Sequence, residues 1–304
     1  MTTTIKTILA ATDLSRPAFA AVRRAALIAR AHGATLELLH VIPDSFSSAA
    51  WNDVRAAIDP LESVLRQSAD QALDALVQQI AVETGIRANA LVAAGKPFAE
   101  IAARSEALDA DLVVVGAHGE NFLLTPLLGT TAHRILRLSR KPVLLVKQTP
   151  HADDPSGTGY KHAVIATDFA ADSAHAAKTA RQLFPEMSAT LFHAYHVPFE
   201  AKLSSRVPQA TLEDYRRRAA EQAHNELEAF ANATQWSDAP RVVRHGPPGV
   251  RVREYAAEIA ADLIVTGSEQ LPRLQRALLG SVSLDLVTEA KCDVLLARTA
   301  PAIR

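Results

Sequence analysis

At 304 residues, with 48% hydrophobic and 21% charged side chains and a formal net charge of -1, the chain can fill sizeable cores and is neither disordered nor fibrous in composition. Its near-neutral balance supplies no broad attraction for nucleic acid or an anionic membrane, so neither is an expected partner. A single cysteine, Cys292, excludes an intrachain disulfide framework and a cysteine-rich metal centre.

The first element is the apolar run from Ile5 to Ala11, which ends in Thr12-Asp13 and is followed by an alanine-rich periodic segment. That order is a strand feeding a helix. Further strands are expected near residues 34–41, 86–93, 111–116 and 143–147, with a long helix from Asp53 to Glu83 whose Leu61, Leu65, Leu73, Leu76 and Ile80 define an apolar face. The segment from Thr149 to Gly159 is rich in turn formers and has no apolar period, so it reads as a linker.

Beyond it the plan repeats. Ala163-Val164-Ile165-Ala166-Thr167-Asp168 answers the first strand, Ala189-Thr190-Leu191 answers Ala34-Thr35-Leu36, and Ala261-Asp262-Leu263-Ile264-Val265-Thr266-Gly267 answers Ala110-Asp111-Leu112-Val113-Val114-Val115-Gly116. The closing run Val294-Leu295-Leu296 matches Val143 to Val146, and a second long helix is expected from Ala210 to Ala231. Ordered matches of this kind mark a duplication. The expected organisation is a first domain over 1–149, a linker over 150–159 and a second domain over 160–304, each an α/β domain with a parallel sheet covered on both faces. The two closing strands are candidates for pairing with each other, which would protect otherwise open edges; an ordinary edge strand facing a helix is the alternative.

The sharpest local feature is Gly116-Ala117-His118-Gly119, then nine residues through Leu128, then Gly129-Thr130-Thr131. A glycine ends a buried strand, a second permits a close turn, and Gly-Thr-Thr opens a periodic helix. Backbone N–H groups and the helix dipole can then face a phosphate; a structural strand-to-helix connection, capped by a threonine, fits the same residues. The spacing is neither that of the P-loop nor the dinucleotide fingerprint. Asp13 stands at the carboxyl end of the first strand, where open parallel sheets place ligands, and reads as a ligand contact or as a helix cap. Val41 ends the second strand and offers backbone groups beside a base, or is simply core.

Ala11-Thr12-Asp13, the strand end Leu39-His40-Val41 and the Gly116/Gly119/Gly129-Thr130-Thr131 spacing together resemble the universal stress protein family, and the likeness covers nearly the whole chain in two copies. The resemblance implies two tandem Rossmann-like domains with open parallel five-stranded sheets, an ATP site of the nucleotide-binding branch in the first, and magnesium with the nucleotide. It implies Asp13 and the Val41 backbone beside ribose and adenine, Ala11 and Thr12 as backbone contacts, Ala117 against the nucleotide, and Gly116, Gly119, Gly129, Thr130 and Thr131 around ribose and phosphates. It further implies an internal pseudo-dimer of the two domains and association of chains into a homodimer.

The second copy has Gly267-Ser268-Glu269-Gln270 and then Gly280-Ser281-Val282-Ser283. Gln270 replaces Gly119, and Glu269 adds negative charge, both unfavourable to phosphate; Asp168, Gly267, Gly280, Ser281, Val282 and Ser283 keep a second nucleotide site open as a reading. No catalytic residue identifies itself and no metal site is expected: His40, His118, His193 and His196 lack a paired ligand pattern. The apolar stretch Phe122, Leu123, Leu124, Pro126, Leu127 and Leu128 is a nucleotide cover, a partner surface or buried packing, and Trp51 an anchor of the second-strand connection. Without a long apolar segment or a leader pattern, the chain is expected in the cytoplasm. The functional expectation is an ATP-binding, nucleotide-responsive regulatory or stress-resistance protein with an unidentified protein partner. A nucleotide-independent interaction scaffold and a slow magnesium-dependent ATP hydrolase are the alternatives.

Overall fold

The structure, a computed structural model, describes residues 4–43, 55–119, 128–147, 160–197, 199–203, 206–268 and 279–299, excepting the side chains of 55–62, 201 and 203. The expectations for the linker, Trp51, the stretch 122–127, Glu269 and Gln270 lie outside these residues. The chain divides into two units, Met1–Gly159 and Tyr160–Arg304.

In the first unit, strands β1 (Thr7–Thr12), β2 (Thr35–Pro43), β3 (Ala88–Gly95), β4 (Leu112–Gly116) and β5 (Val143–Val146) alternate with helices α1 (Arg16–His32), α2 (Arg55–Thr84), α3 (Pro97–Ala107) and α4 (Thr130–Leu138). The strands lie in the order β3-β2-β1-β4-β5 and every neighbouring pair is parallel. Parallel pairing follows from the helical crossovers: α1 and α2 pack on one face, α3 and α4 on the other. Both faces being covered, β1 and β4 are uninterrupted apolar runs, with Ile8, Leu9, Ala10, Leu112 and Val114 fully buried.

Local chemistry sets the boundaries of α1. The Ser15 hydroxyl accepts the Ala18 N–H at 3.3 Å, Pro17 sits in the first turn, and Gly33 ends the helix at φ 63°, a conformation glycine adopts without steric cost. Between these ends the small residues Ala18, Ala21, Ala25 and Ala29 are buried and let the helix lie close to the sheet. The long helix α2 runs as its periodicity implies, with Leu73 and Ile80 in the core, but Leu65 is 43% exposed and does not belong to the buried face. Its neighbours Val64 and Arg66 are exposed too, and the Arg66 guanidinium reaches the Val92 carbonyl of β3 at 3.2 Å.

The second unit repeats the topology with β6 (His162–Ala166), α5 (Ala171–Leu183), β7 (Ser188–Tyr195), the short α6 (Glu200–Leu203), α7 (Gln209–Ala233), β8 (Arg241–His245), α8 (Pro248–Glu258), β9 (Leu263–Gly267), α9 (Ser281–Glu289) and β10 (Asp293–Ala297). Its strands lie in the order β8-β7-β6-β9-β10, again all parallel. The arginine run 216–218 is a solvated, ion-paired face of α7. Arg216 meets Glu200, Arg217 meets Asp214 and Glu221, and Arg218 meets Asp214. Cys292 is buried beside β10.

His175 on α5 carries a pH response. Burial lowers its proton affinity most, Asp172 opposes this, and Lys178 adds to it. The folded state therefore binds this proton less well than the unfolded chain. Its stability contribution is intact above about 6.5, the ordinary histidine value, and declines as pH falls below it. Urea midpoints for wild type and His175→Gln, taken at pH 7.5 and 5.5, are expected to move in the variant's favour at the lower pH; an unchanged difference would refute the assignment.

Candidate functional site

Three short polar side chains shape the turn that leaves β1. The Thr12 hydroxyl accepts the Leu14 N–H at 3.0 Å, and Asp13 Oδ1 accepts both the Ser15 N–H at 3.0 Å and the Ser15 hydroxyl at 2.5 Å. Ser15 in turn caps α1, so Asp13 is not itself the cap. Leu14 is held at φ 65°, an unfavourable region for leucine, and the local bonds hold it there. From the next strand, His40 Nδ1 lies 2.9 Å from the Thr12 carbonyl, which can only accept, so His40 donates and clamps the turn from the side. Thr12 and His40 are register partners in the β1–β2 ladder, which puts the clamp directly across from the turn. Ala11, Thr12 and Val41 are buried, while Asp13 is exposed at the carboxyl edge of the sheet.

A second loop comes to the same place from β4. The Ala117 N–H bonds the Val146 carbonyl at 2.8 Å, and the Gly129 N–H bonds the Ala117 carbonyl at 2.8 Å, which brings the start of α4 back against the end of β4. Gly119 approaches Asp13 so closely that a Cβ there would lie 2.6 Å from Asp13 Oδ2. Residue 119 can lie this close to the carboxylate only because it has no side chain. Gly129 is the cap residue of α4 and supplies no side-chain acceptor, so its cap leaves the first-turn N–H groups facing outward, with Thr130 exposed and Thr131 half-buried. Loops after β1 and β4 therefore converge where the strand order reverses, the crevice in which open α/β sheets hold ligands. Asp13, Gly116, Ala117, Gly119 and Gly129 are joined by these contacts; Ala11 and Val41 line the adjoining strand ends. His118 is half-buried in the loop.

The α4 helix also sets the local charge. It has no acid in its first turn and Arg137 in its last, and His133 has its proton affinity lowered chiefly by burial and then by Arg137 and Arg134. A negative ligand at the helix start meets a positive dipole end without a competing carboxylate from the first turn.

The second unit builds the same turn. The Thr167 hydroxyl accepts the Phe169 N–H at 2.9 Å, Asp168 accepts the Ala170 N–H at 3.0 Å, and His193 donates to the Thr167 carbonyl at 2.8 Å. Phe169, at φ 67°, stacks on His193 with ring centres 4.4 Å apart and edges against Phe230. The Ser173 hydroxyl meets the Thr167 hydroxyl at 3.0 Å. Gly267 is pressed on the first turn of α5, where a Cβ would lie 2.5 Å from the Asp172 carbonyl carbon and closer still to the Ser173 nitrogen. Ser283 is buried and its hydroxyl donates to the Gly267 carbonyl at 2.8 Å. Gly280 begins α9 with no side-chain cap bond, with Ser281 exposed and Val282 half-buried.

His193 is thus occupied by a backbone carbonyl, and His196 is exposed. Among the described residues no group of three or more His, Cys, Asp or Glu is arranged to hold a metal, and no helix is long and apolar enough to cross a membrane. Sequence reasoning overlooked the clamping role of His40 and His193. The available signal was a histidine at the same place in both copies, one residue before the end-of-strand position assigned to the base.

The model of the universal stress protein family matches residues 4–147 and again 159–298. A universal stress protein of Methanocaldococcus jannaschii is 26% identical over 160 residues, covering 49% of this chain and 98% of that protein. The universal stress protein A homolog 1 of Coxiella burnetii is 35% identical over 142 residues, 46% of this chain and 95% of the relative. Among solved structures, a universal stress protein from Archaeoglobus fulgidus shares the fold across 98% of this chain and 100% of its own, with a TM-score of 0.69 at 18% identity.

Proposed function

Because the chain belongs to the universal stress protein family, we propose that its first unit binds ATP, with magnesium carried on the phosphates, and that the protein acts as a nucleotide-responsive regulator and not as a dedicated enzyme. The observation that carries this reading is the convergence of the Asp13 carboxylate and the backbone of Gly119, which lie too close together for a Cβ on residue 119, beside an α4 helix start without a side-chain cap. A nucleotide fits that donor set. The Asp13 carboxylate accepts ribose hydroxyls, the Gly119, Thr130 and Thr131 backbone N–H groups donate to phosphate oxygens, and the threonine hydroxyls add donors. His40 acts through Thr12, holding the turn that presents Asp13. ATP supplies the negative charge that this edge is built to neutralise. Regulation follows if ATP binds one conformation of the chain more tightly than another, since only unequal affinity moves an equilibrium.

Calorimetric titration of nucleotide-free protein with Mg-ATP tests the reading, alongside Gly129→Trp. A Cβ at Gly129 meets only the Ala117 carbonyl, at 3.4 Å, an ordinary contact, so an indole there crowds the start of α4 at little cost to the backbone. Saturable wild-type binding, weakened roughly a hundredfold or more in the folded variant, is expected. Absence of wild-type binding up to millimolar ATP, or equal binding by both proteins, would refute it.

A further inference from the structure

The edge of the first sheet is stepped beside Asp13. Thr12, the last residue of β1, pairs with His40, while β2 and β3 run on together to Pro43 and Gly95, which are also register partners. These two strand ends stand as a wall on the side of the crevice away from β4. Glu100, on α3, folds back over that wall: a Cβ on Gly95, at φ 148°, would lie 2.8 Å from Glu100 Oε1 and 3.1 Å from its Cγ. The side chain is half-buried, and among the described residues no hydrogen bond or ion pair reaches its carboxylate. Glu100 lies in the first turn of α3, where the helix dipole favours a negative charge but leaves its lone pairs open to donors.

The second unit carries the opposite charge at this place and uses it internally. Gly246, at φ 130°, follows β8 where Gly95 ends β3, and a Cβ on it would meet Arg251 Nε at 2.6 Å. Arg251 stands as far along the chain from Gly246 as Glu100 does from Gly95. Its guanidinium donates to the His245 carbonyl at 2.9 Å and to Glu254 at 2.7 Å. A strand-end glycine covered by a charged side chain of the following helix is therefore common to both units, but in the first that side chain is an acceptor with its lone pairs available.

A nucleotide with its phosphates at the start of α4 and its ribose at Asp13 runs from the β4 side of the crevice to the β1 side, because the strands lie in the order β3-β2-β1-β4. Its base continues toward β2 and β3, the latter about 10 Å from β1, and reaches the wall over which Glu100 is folded. We propose that the Glu100 carboxylate accepts a hydrogen bond from the exocyclic amino group of the base and so selects adenine over purines that carry a carbonyl at that position. An ionised carboxylate can only accept; adenine donates there through N6, whereas guanine and hypoxanthine present the O6 acceptor. The proposal rests on the nucleotide reading of the first unit and adds the base selectivity of that site.

Wild type, Glu100→Gln and Glu100→Ala are titrated calorimetrically with Mg-ATP and, separately, with magnesium inosine triphosphate, in which a carbonyl replaces the amino group, after circular dichroism has established that each protein is folded. The wild type is expected to bind ATP roughly tenfold or more tighter than inosine triphosphate, the worth of one hydrogen bond to a charged group. In Glu100→Gln, whose amide both accepts and donates, the two affinities come within about threefold of each other. Glu100→Ala narrows the preference by weakening ATP alone. Equal wild-type affinities, a preference for ATP that both variants keep, or equal losses for the two nucleotides would overturn the role of Glu100 while leaving the nucleotide site standing. Failure of the wild type to bind either nucleotide would instead remove the site itself.

Discussion

Replacing Gly119 with glutamine, the residue the second copy carries at the matching position, is expected to remove ATP binding while leaving the fold intact. A Cβ at residue 119 would lie 2.6 Å from Asp13 Oδ2, well inside any real contact. The atom it meets is the end of an exposed side chain and not backbone, so relief comes by swinging the carboxylate away. Such a shift costs little stability. It does remove Asp13 from the crevice, together with its charge-assisted hydrogen bonds of roughly 1.5–3 kcal/mol, and places a larger side chain where the ligand passes. Affinity should fall by about a hundredfold or more, with a thermal midpoint within a few degrees of wild type. Retained ATP binding in folded Gly119→Gln would mean that neither the Asp13 carboxylate nor the backbone at residue 119 borders the nucleotide site.

The largest stability effect is expected from the matching glycines at the ends of β4 and β9. In Gly267→Ala the new Cβ would collide with the backbone of the first turn of α5, at 2.5 Å from the Asp172 carbonyl carbon. Backbone cannot rotate aside, so helix and strand must separate, at a cost of about 1–3 kcal/mol or more. In Gly116→Ala the nearest atom is the His118 carbonyl oxygen at 3.3 Å, which needs to yield only a few tenths of an ångström. The midpoint in urea is therefore expected to drop clearly for Gly267→Ala and little for Gly116→Ala. Equal losses would show that the two units are packed alike at this edge, against the closer approach of α5 to β9.

Much of this architecture is written in local pattern, and the exceptions are instructive. The strands that the apolar runs announced are present, because parallel strands covered on both faces must be apolar along their length. Their ends differ by a residue or two: β2 continues to Pro43 because its pairing with β3 runs on past the apolar segment. Leu65 satisfied the helical period of α2 and is nonetheless exposed, since periodicity identifies a stripe and not how far the neighbouring layer extends beneath it. The four-residue helix α6 left no periodic trace, being held by tertiary bonds of Glu200 to Arg216 and His245.

The candidate site was legible in its glycines and in Asp13 but not in its supports. Ser15, rather than Asp13, caps α1, a choice between adjacent acceptors that spacing does not decide. His40 acts across strands, so its role depends on register. Repetition was the one sequence signal for it, His40 and His193 standing at equivalent strand ends. The packing of the second unit was likewise invisible in the sequence, because the Phe169–His193 stack and the close approach of Gly267 to Asp172 and Ser173 arise only when α5 is laid against β9.

The central claim is that the first unit, through the loop after β4 and the start of α4, takes ATP. Amide hydrogen exchange in the presence and absence of saturating Mg-ATP tests it most directly, because binding to backbone N–H groups slows their exchange where it occurs. Slowed exchange is predicted at residues 116–119 and 129–132, with residues 267–268 and 280–283 of the second unit unchanged. Protection confined to the second unit, or none at either glycine loop with ATP bound, would contradict the account.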